Sequence, residues 1–306
     1  MRKRLHRIAG MVGSLVLAVG MVVHLSCRDF LPGLSVIFYA LPLPLIAVGW
    51  LGLALWHVRQ RLLMSPCLTL AFVTALWWQA TSYQPPGHAS SSRAGLKVLY
   101  WNMAHHRLPS ADLQCLVDQH RPDIVGLGEV GLRFGDPNPL ISKVPPGYTA
   151  LKPEYGMGLL VRGTANVGNL TKLKRRSKFI ELDVTVDGRT WHVILVDGEA
   201  DPLRSREPLL TQVLQAASGK GKDTLVMGDF NTPVESGWFD SWRTAGLHHA
   251  TEGARSGFRE TWPNPWPVLT IDHIWSSPDA PPLRMQRLKL NSSDHLAVLA
   301  EVALGK

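Results

Sequence analysis

Two hydrophobic regimes divide the chain. Its first 80 residues contain three uncharged apolar runs, at 8–25, 31–56 and 62–80. A helix needs about 20 apolar residues to cross a bilayer, so each run reads as a transmembrane helix. Pro42 and Pro44 interrupt the second run. In a membrane bundle such prolines kink a helix rather than exclude it, because neighbours satisfy the freed backbone groups. Trp50, Trp56, Trp77 and Trp78 fall near run ends, where aromatic rings favour the interface. The alternative for the first run is a cleaved signal peptide. It has the basic leader Arg2-Lys3-Arg4 but no small-x-small cleavage site. Leu25-Ser26-Cys27 is a weak match to a lipoprotein cleavage site, His24 is a poor residue upstream of it, and two more apolar runs follow.

The pattern changes after a Ser/Pro/Gly-rich stretch at 81–95, which reads as a linker. From residue 96 to 306, short β-like runs alternate with helical ones. Strands are predicted at 96–101, 124–127, 158–161, 179–186, 191–196, 224–227, 270–275 and 295–302. Helices are predicted over Ala111–His120, with Ser110 as its cap, and over 205–217. Strands outnumber helices, and neither a Gly-rich phosphate loop nor an internal repeat occurs. The domain is of the α/β class.

Charge sharpens this division. The net charge is +8. Residues 1–95 hold 8 Lys and Arg against 1 acidic residue, and residues 96–306 hold 24 against 23. The surplus therefore flanks the apolar runs, where it sets topology, and the globular part offers little support for a nucleic-acid surface. Arg2, Lys3, Arg4 and Arg7 precede the first run, and His57, Arg59 and Arg61 lie between the second and third. Arg28 is balanced by Asp29 between the first and second. Positive loops stay in the cytoplasm. The expected topology is thus a multi-pass cell-membrane protein with a cytoplasmic N-terminus and an extracytoplasmic domain. Of Cys27, Cys67 and Cys115, only the last is in the globular part, so no disulfide forms within it. Cys115 reads as a small buried residue on a helix face.

Candidate chemistry sits at strand ends, where the strand fixes the backbone and the loop exposes the side chain. Asn102 closes the first strand and Glu129 follows the second. Asp229 and Asn231 follow Leu225-Val226-Met227-Gly228. Asp272 and His273 interrupt the 270–275 strand, and Asp294 and His295 begin the last. Glu129, Asn102 and Asp294 offer hard oxygen ligands suited to Mg²⁺ or Mn²⁺. Asp229 is placed to orient or deprotonate a water, with Asn231 holding a phosphate oxygen or fixing Asp229. His295 is placed to donate to a phosphoryl oxygen, its imidazole held and made more basic by Asp272. His273 reads as structural.

Five short segments in order carry a resemblance. Tyr100-Trp101-Asn102, the 123–130 run ending Gly128-Glu129-Val130, Gly228-Asp229-Phe230-Asn231, Ile271-Asp272-His273-Ile274 and Ser293-Asp294-His295 resemble the endonuclease/exonuclease/phosphatase family. That family includes pancreatic deoxyribonuclease, abasic-site endonucleases, neutral sphingomyelinases and inositol polyphosphate 5-phosphatases. The resemblance spans roughly residues 96–302. It implies a four-layer α/β sandwich, two packed β-sheets flanked by helices, here preceded by three transmembrane helices. It also implies Glu129 as metal ligand, Asn102 and Asp294 supporting the metal, Asp229 on the attacking water, Asn231 on the phosphate and an Asp272–His295 pair. Arg204 and Arg206 fit an Arg that the family carries downstream, with Arg204 taken as substrate-binding.

Two positions depart from the family pattern. Gly128 stands where a Gln usually precedes the metal-binding Glu. Asp197 stands where a phosphate-contacting His is expected at the end of Val193-Ile194-Leu195-Val196. A carboxylate there repels phosphate unless a cation intervenes. Asp197 could bind a second metal, be protonated or mark a weakened enzyme, and His105, His106 or His192 could substitute. The run 172–178 reads as a solvated loop, and Trp238, Trp242, Trp262, Trp266 and Trp275 as packing, with Trp262-Pro263 and Trp266-Pro267 also able to line a substrate rim.

The expected function is a membrane-anchored, divalent-metal-dependent phosphoesterase acting on a phosphomonoester, pyrophosphate or phosphodiester, with a lipid-linked phosphate favoured by the tether. The layout is similar to bacterial three-span members of the family, some linked to envelope lipid phosphates and glycopeptide resistance. Two alternatives stand beside it: a nuclease acting on DNA or RNA, and a catalytically reduced binding protein of the same fold. No protein partner is evident.

Overall fold

A computed structural model describes residues 2–85, 95–105, 111–131, 145–154, 156–173, 177–219 and 223–304. They form two units. Ser110, His106, most of the 81–95 stretch and residues 174–176 lie outside the described residues.

The first unit comprises Met1–Gln84 with the short loops Asp201–Ser205 and Glu235–Gly237. Its helices are α1 (Arg2–Leu25), α2 (Leu34–Ala40), α3 (Leu43–Trp56) and α4 (Arg61–Ser82). At 1.5 Å per residue, α1 and α4 run about 36 and 33 Å, enough for a hydrocarbon core of about 30 Å. The second apolar run is broken, because α2 and α3 meet at 79°. Pro42 supplies no backbone N–H and is extended at ψ 154, so the turn after Leu41 cannot continue the helix. Among the described residues two helices are therefore long and apolar enough to cross a membrane, and a third crossing exists if the bent pair counts as one. Leu17, Ile46, Trp50, Ala54, Cys67 and Ala71 form this unit's buried cluster. Asp29 is buried and accepts hydrogen bonds from Tyr39 Oη at 2.9 Å, Ser236 Oγ at 2.6 Å and the Gly237 N–H at 3.0 Å.

The second unit holds two mixed six-stranded sheets. One is built from β1 (Gly95–Asn102), β2 (Ile124–Gly128), β3 (Thr149–Glu154) and β4 (Met157–Val161) with the later β11 (Pro282–Leu288) and β12 (Ala297–Ala303), in the order β11-β12-β1-β2-β4-β3. The other is built from β5 (Thr164–Lys172), β6 (Lys178–Val186), β7 (Arg189–Asp197), β8 (Thr224–Asp229), β9 (His248–His249) and β10 (Asp272–Ser276), in the order β9-β10-β8-β7-β6-β5. Each sheet contains one parallel pair, β1 with β2 and β7 with β8. A helix crosses over each pair: α5 (Ala111–His120) and α6 (Glu207–Ser218). Parallel strands require such crossovers.

Alternation along the strands builds the layers. Val98, Tyr100, Ile180, Leu182, Leu195, Met227, Ile274 and Val298 pack between the sheets. The odd-face partners Leu99, Trp101, Val125 and Leu127 pack outward under Leu113, Leu116 and Val117 of α5. Ile194, Val196, Val226 and Trp275 pack outward under Leu209, Leu210 and Val213 of α6, and under Trp242 of α7 (Asp240–Thr244). The result is the expected four-layer sandwich. Cys115 departs from expectation: it is exposed, because the buried stripe of α5 runs through 113, 116 and 117 and leaves 115 on the solvent face. Lys178, assigned to a solvated loop by its basic neighbours, is instead the first residue of β6.

Gly128 has a structural cause. It continues the inward face of β2 after Ile124 and Gly126, and a Cβ there would lie 2.1 Å from Tyr100 Oη. The tyrosine occupies the space that a longer residue at 128 would need. Gly128→Gln is therefore expected to destabilise the domain by about 1–3 kcal/mol through overpacking. Adding Tyr100→Ser should recover most of that loss in thermal denaturation, and a neutral single variant would contradict the steric account.

Candidate active site

The inter-sheet face does not stop at its apolar core. On β6, β7, β8 and β10 the next inward positions beyond Ile180, Leu195, Met227 and Ile274 are Lys178, Asp197, Asp229 and Asp272. Strand register aligns them: Lys178 pairs with Asp197, Asp197 with Asp229, and Asp229 with Asp272. On the facing sheet, Asn102 pairs with Gly128, directly before Glu129. Both parallel pairs thus deliver polar residues at their carboxyl ends, the usual location of ligand sites in open α/β sheets.

Asp229 is the centre of the arrangement and is 3% exposed. Its Oδ2 accepts from Asn102 Nδ2 at 2.9 Å and from Asn231 Nδ2 at 3.3 Å. Its Oδ1 accepts from the Asn231 N–H at 2.8 Å. Asn231 also donates to the Gly198 carbonyl at 3.0 Å, and its own carbonyl accepts from Arg206 Nε at 3.2 Å. Asn231 sits at φ 46, and Ala104, His105 and Glu129 are also left-handed at φ 46, 61 and 45. Such conformations cost free energy and concentrate at functional sites. Gly228 lets the strands approach here, since a Cβ would meet the Val196 carbonyl at 2.1 Å.

Asp272 and His295 form a second buried pair. His295 Nδ1 lies 3.1 and 3.0 Å from the two Asp272 oxygens. Thr261 Oγ1 accepts from the Ile271 and Asp272 N–H groups at 3.3 Å each. Ser293 Oγ donates to the Asn102 carbonyl at 2.7 Å and accepts from the His295 N–H at 3.0 Å, which ties the pair to the facing sheet. Burial opposes the His295 charge, but the charge and hydrogen bond of Asp272, then Asp229 and Asp294, raise its pKa to about 10. It is an imidazolium at neutral pH. Burial and then the Asp272 charge push Asp229 up to about 8, against His295 and the Asn231 N–H. Burial, with the charges of Asp229, Asp272 and Asp197, also keeps the Tyr100 phenol protonated well above its usual range.

Three further oxygen donors lie at strand ends. Glu129 is half-exposed, and its carboxylate lies 3.3 Å from His105 Nε2. Asn102 Oδ1 accepts from the Ala104 N–H at 2.9 Å. Asp294 Oδ2 accepts from Trp262 Nε1 at 3.0 Å, and its Oδ1 is 4.0 Å from His295 Nε2. Glu129, Asn102 and Asp294 are the hard donors that Mg²⁺ or Mn²⁺ prefers. Ligand atoms of Asp229, Asp272 and His295 also lie within 4.8 Å of one another. The His295–Asp272 hydrogen bonds within that trio make it a proton-holding network in the metal-free protein.

Several sequence candidates fall elsewhere. His192 is at the far end of β7, opposite Thr224, beside Glu181 and Asp183. Arg204 is paired to Asp201 at 3.2 Å on an exposed surface of the first unit, and it is Arg206 that reaches Asn231. His273 Nε2 donates to the Thr232 carbonyl at 2.8 Å, and its Nδ1 lies 2.9 Å from His249 Nε2, a structural role on the outward face. Two residues escaped the sequence reading. Lys178 forms an ion pair with Asp197, and Tyr100 fills the site floor beside Gly128. Both carried a signal: each holds an inward position of its strand's alternation.

The dyad has a direct test in the metal-free protein. Asp272 is the main source of positive shift for His295, so Asp272→Asn should lower its pKa from about 10 toward the ordinary value of 6.5. The His295 ring protons, followed by NMR from pH 6 to 11, should titrate at distinctly lower pH in the variant. An unchanged midpoint would contradict the pairing.

Comparison with known proteins places this geometry. The endonuclease/exonuclease/phosphatase family model matches residues 99–295. Solved structures share the fold. D. rerio TDP2, complexed with single-strand DNA product, is 18% identical, with a TM-score of 0.53 over 70% of this chain and 100% of its own. A Neisseria 3′ phosphatase bound to product DNA hairpin is 21% identical, with a TM-score of 0.53 over 68% and 100%. A Bacteroides thetaiotaomicron mannosyl-6-phosphatase is 17% identical, with a TM-score of 0.50 over 68% and 100%. No curated protein matches the chain. The matched segment carries the Asn102, Glu129, Asp229–Asn231, Asp272 and Asp294–His295 positions in order, and the chain belongs to the endonuclease/exonuclease/phosphatase family of phosphoester hydrolases.

Proposed function

We propose that the protein is a membrane-anchored, divalent-metal-dependent phosphoesterase whose substrate is a lipid-linked phosphomonoester, pyrophosphate or phosphodiester. One observation carries the catalytic half: Asp229 is held by two asparagine side chains beside an Asp272–His295 pair. A bound Mg²⁺ or Mn²⁺, held by Glu129 with Asn102 and Asp294, would supply a Lewis acid at the phosphoryl oxygen. Asp229 orients the attacking water and takes its proton. Asn231, its side-chain amide donating to Asp229 and to the Gly198 carbonyl, fixes that carboxylate, and the His295 imidazolium stabilises charge developing on phosphorus.

The membrane half rests on the first unit. His6, at the start of α1, stacks on Trp56, at the end of α3, with ring centroids 4.4 Å apart. The bent α2–α3 pair thus returns from the end of α1 to its start, which supports counting it as a crossing. The basic residues before α1 and between α3 and α4 support a cytoplasmic N-terminus and, with three crossings, an extracytoplasmic domain.

The nuclease reading draws on the DNA products bound to TDP2 and to the 3′ phosphatase. The near-neutral balance of residues 96–306 weakens it, because affinity for nucleic acid comes mainly from cationic contacts to phosphates.

Full-length protein in detergent should release phosphate or headgroup from a lipid phosphate in Mg²⁺ or Mn²⁺ and should stop in EDTA. Asp229→Ala should lower kcat by about 10²–10⁴-fold. Failure to turn over any phosphoester with either metal would overturn the reading, and cleavage of DNA with no action on lipids would favour the nuclease. A reporter active only outside the cytoplasm, fused after Lys306, should be active. Activity of a cytoplasm-only reporter at that position would reverse the orientation.

A further inference from the structure

Asp197 poses the main chemical difficulty of the site. It occupies a row position beside Asp229, and a carboxylate there repels a phosphate unless a cation stands beside it. Burial raises the Asp197 pKa, Lys178 opposes that shift, and Glu129 and His105 are among the charges it feels. Asp197 therefore lies within the field of the metal-side residues and not on a remote surface.

Lys178 is the row's remaining member, and it is a cation. Its side chain is 16% exposed, and that of Asp197 is 23% exposed, so the pair is sheltered but open to solvent on one side. The backbone leaves little freedom: Lys178 precedes Ile180, Leu182 and Val184, which all pack between the sheets. The Ser177 hydroxyl, one residue earlier, accepts from the Glu199 N–H at 3.1 Å and ties the start of β6 to the segment after β7. An ammonium has three rotatable donors on a flexible stem. One donor satisfies Asp197, and the other two make no hydrogen bond among the described residues.

We propose that Lys178 is a substrate-binding residue: tethered by Asp197, its ammonium provides the positive group that receives phosphoryl oxygens at the end of β7. The inference rests on the phosphoesterase reading of the site. The two side chains act together, with Asp197 as the positioning residue and Lys178 as the contact to phosphate. The carboxylate at 197 then holds a cation in the site and does not mark a loss of phosphate binding. The bland alternative is that Lys178 merely neutralises a buried carboxylate. In that case, removing both charges together would leave phosphate affinity intact.

The test uses full-length protein in detergent with Mg²⁺, and inorganic phosphate as the probe. Affinity is read by calorimetry and by product inhibition, and folding by thermal denaturation. Lys178→Met alone leaves Asp197 unpaired and can unfold the domain, so the decisive variant is Lys178→Met with Asp197→Asn. It should melt cooperatively, bind phosphate at least about tenfold more weakly, the loss expected for one charged hydrogen bond, and raise KM more than it lowers kcat. Wild-type phosphate affinity in that variant would overturn the role of Lys178 and leave the phosphoesterase reading standing. A wild-type protein that neither binds phosphate nor hydrolyses any phosphoester would overturn both.

Discussion

Asp197, Asp229 and Asp272 stand side by side across three hydrogen-bonded strands, and Asp229 and Asp272 are all but sealed from water. Like charges at that spacing cannot all ionise without nearby cations. Much of the site is a response to this constraint. Lys178 pairs with the first carboxylate and the His295 imidazolium with the third. Asp229 is held by amides, but burial and the Asp272 charge outweigh them and His295 and push its pKa up to about 8. Because the groups are coupled, their titrations belong to the cluster as much as to any one residue. A divalent cation beside Glu129 would relieve the same repulsion and leave Asp229 ionised, ready to orient water.

The sandwich explains how such a costly row persists. Its inward alternation is apolar for most of each strand and turns polar only at the site end, so the core that buries Leu195 and Met227 also fixes Asp197 and Asp229. The amide of Asn102 crosses from the facing sheet and stitches the layers where apolar packing stops, and that of Asn231 clamps Asp229 from the turn after β8. Tyr100 belongs to the same solution. It fills the space beside Gly128, and its hydroxyl stays neutral among three carboxylates.

Much of this was legible in the sequence. The apolar alternation marked the long inner strands and helix α5 closely, and five short polar segments at strand ends marked the site. Edge strands were not legible. β5, with Asn166, Gly168 and Asn169, is largely exposed, and β11 begins with Pro282 and carries Arg284 and Arg287, so neither shows the pattern of a half-buried strand. Lys178 was misassigned because charge runs usually mark solvated loops, and only the register of β6 against β7 reveals its partner. The 79° break at Pro42 was expected as a kink, but no local signal gave its size.

The central claim is that the carboxylate row is completed by a divalent cation that ionises Asp229. Calorimetric titration of the full-length protein with Mn²⁺ at pH 7, in buffers of differing ionisation enthalpy, tests it most directly. With Asp229 titrating at about 8 in the metal-free protein, binding should release more than about half a proton per ion, and Asp229→Asn should suppress that release while still binding the metal. Absence of Mn²⁺ binding, or binding with no proton release from the unaltered protein, would contradict the account.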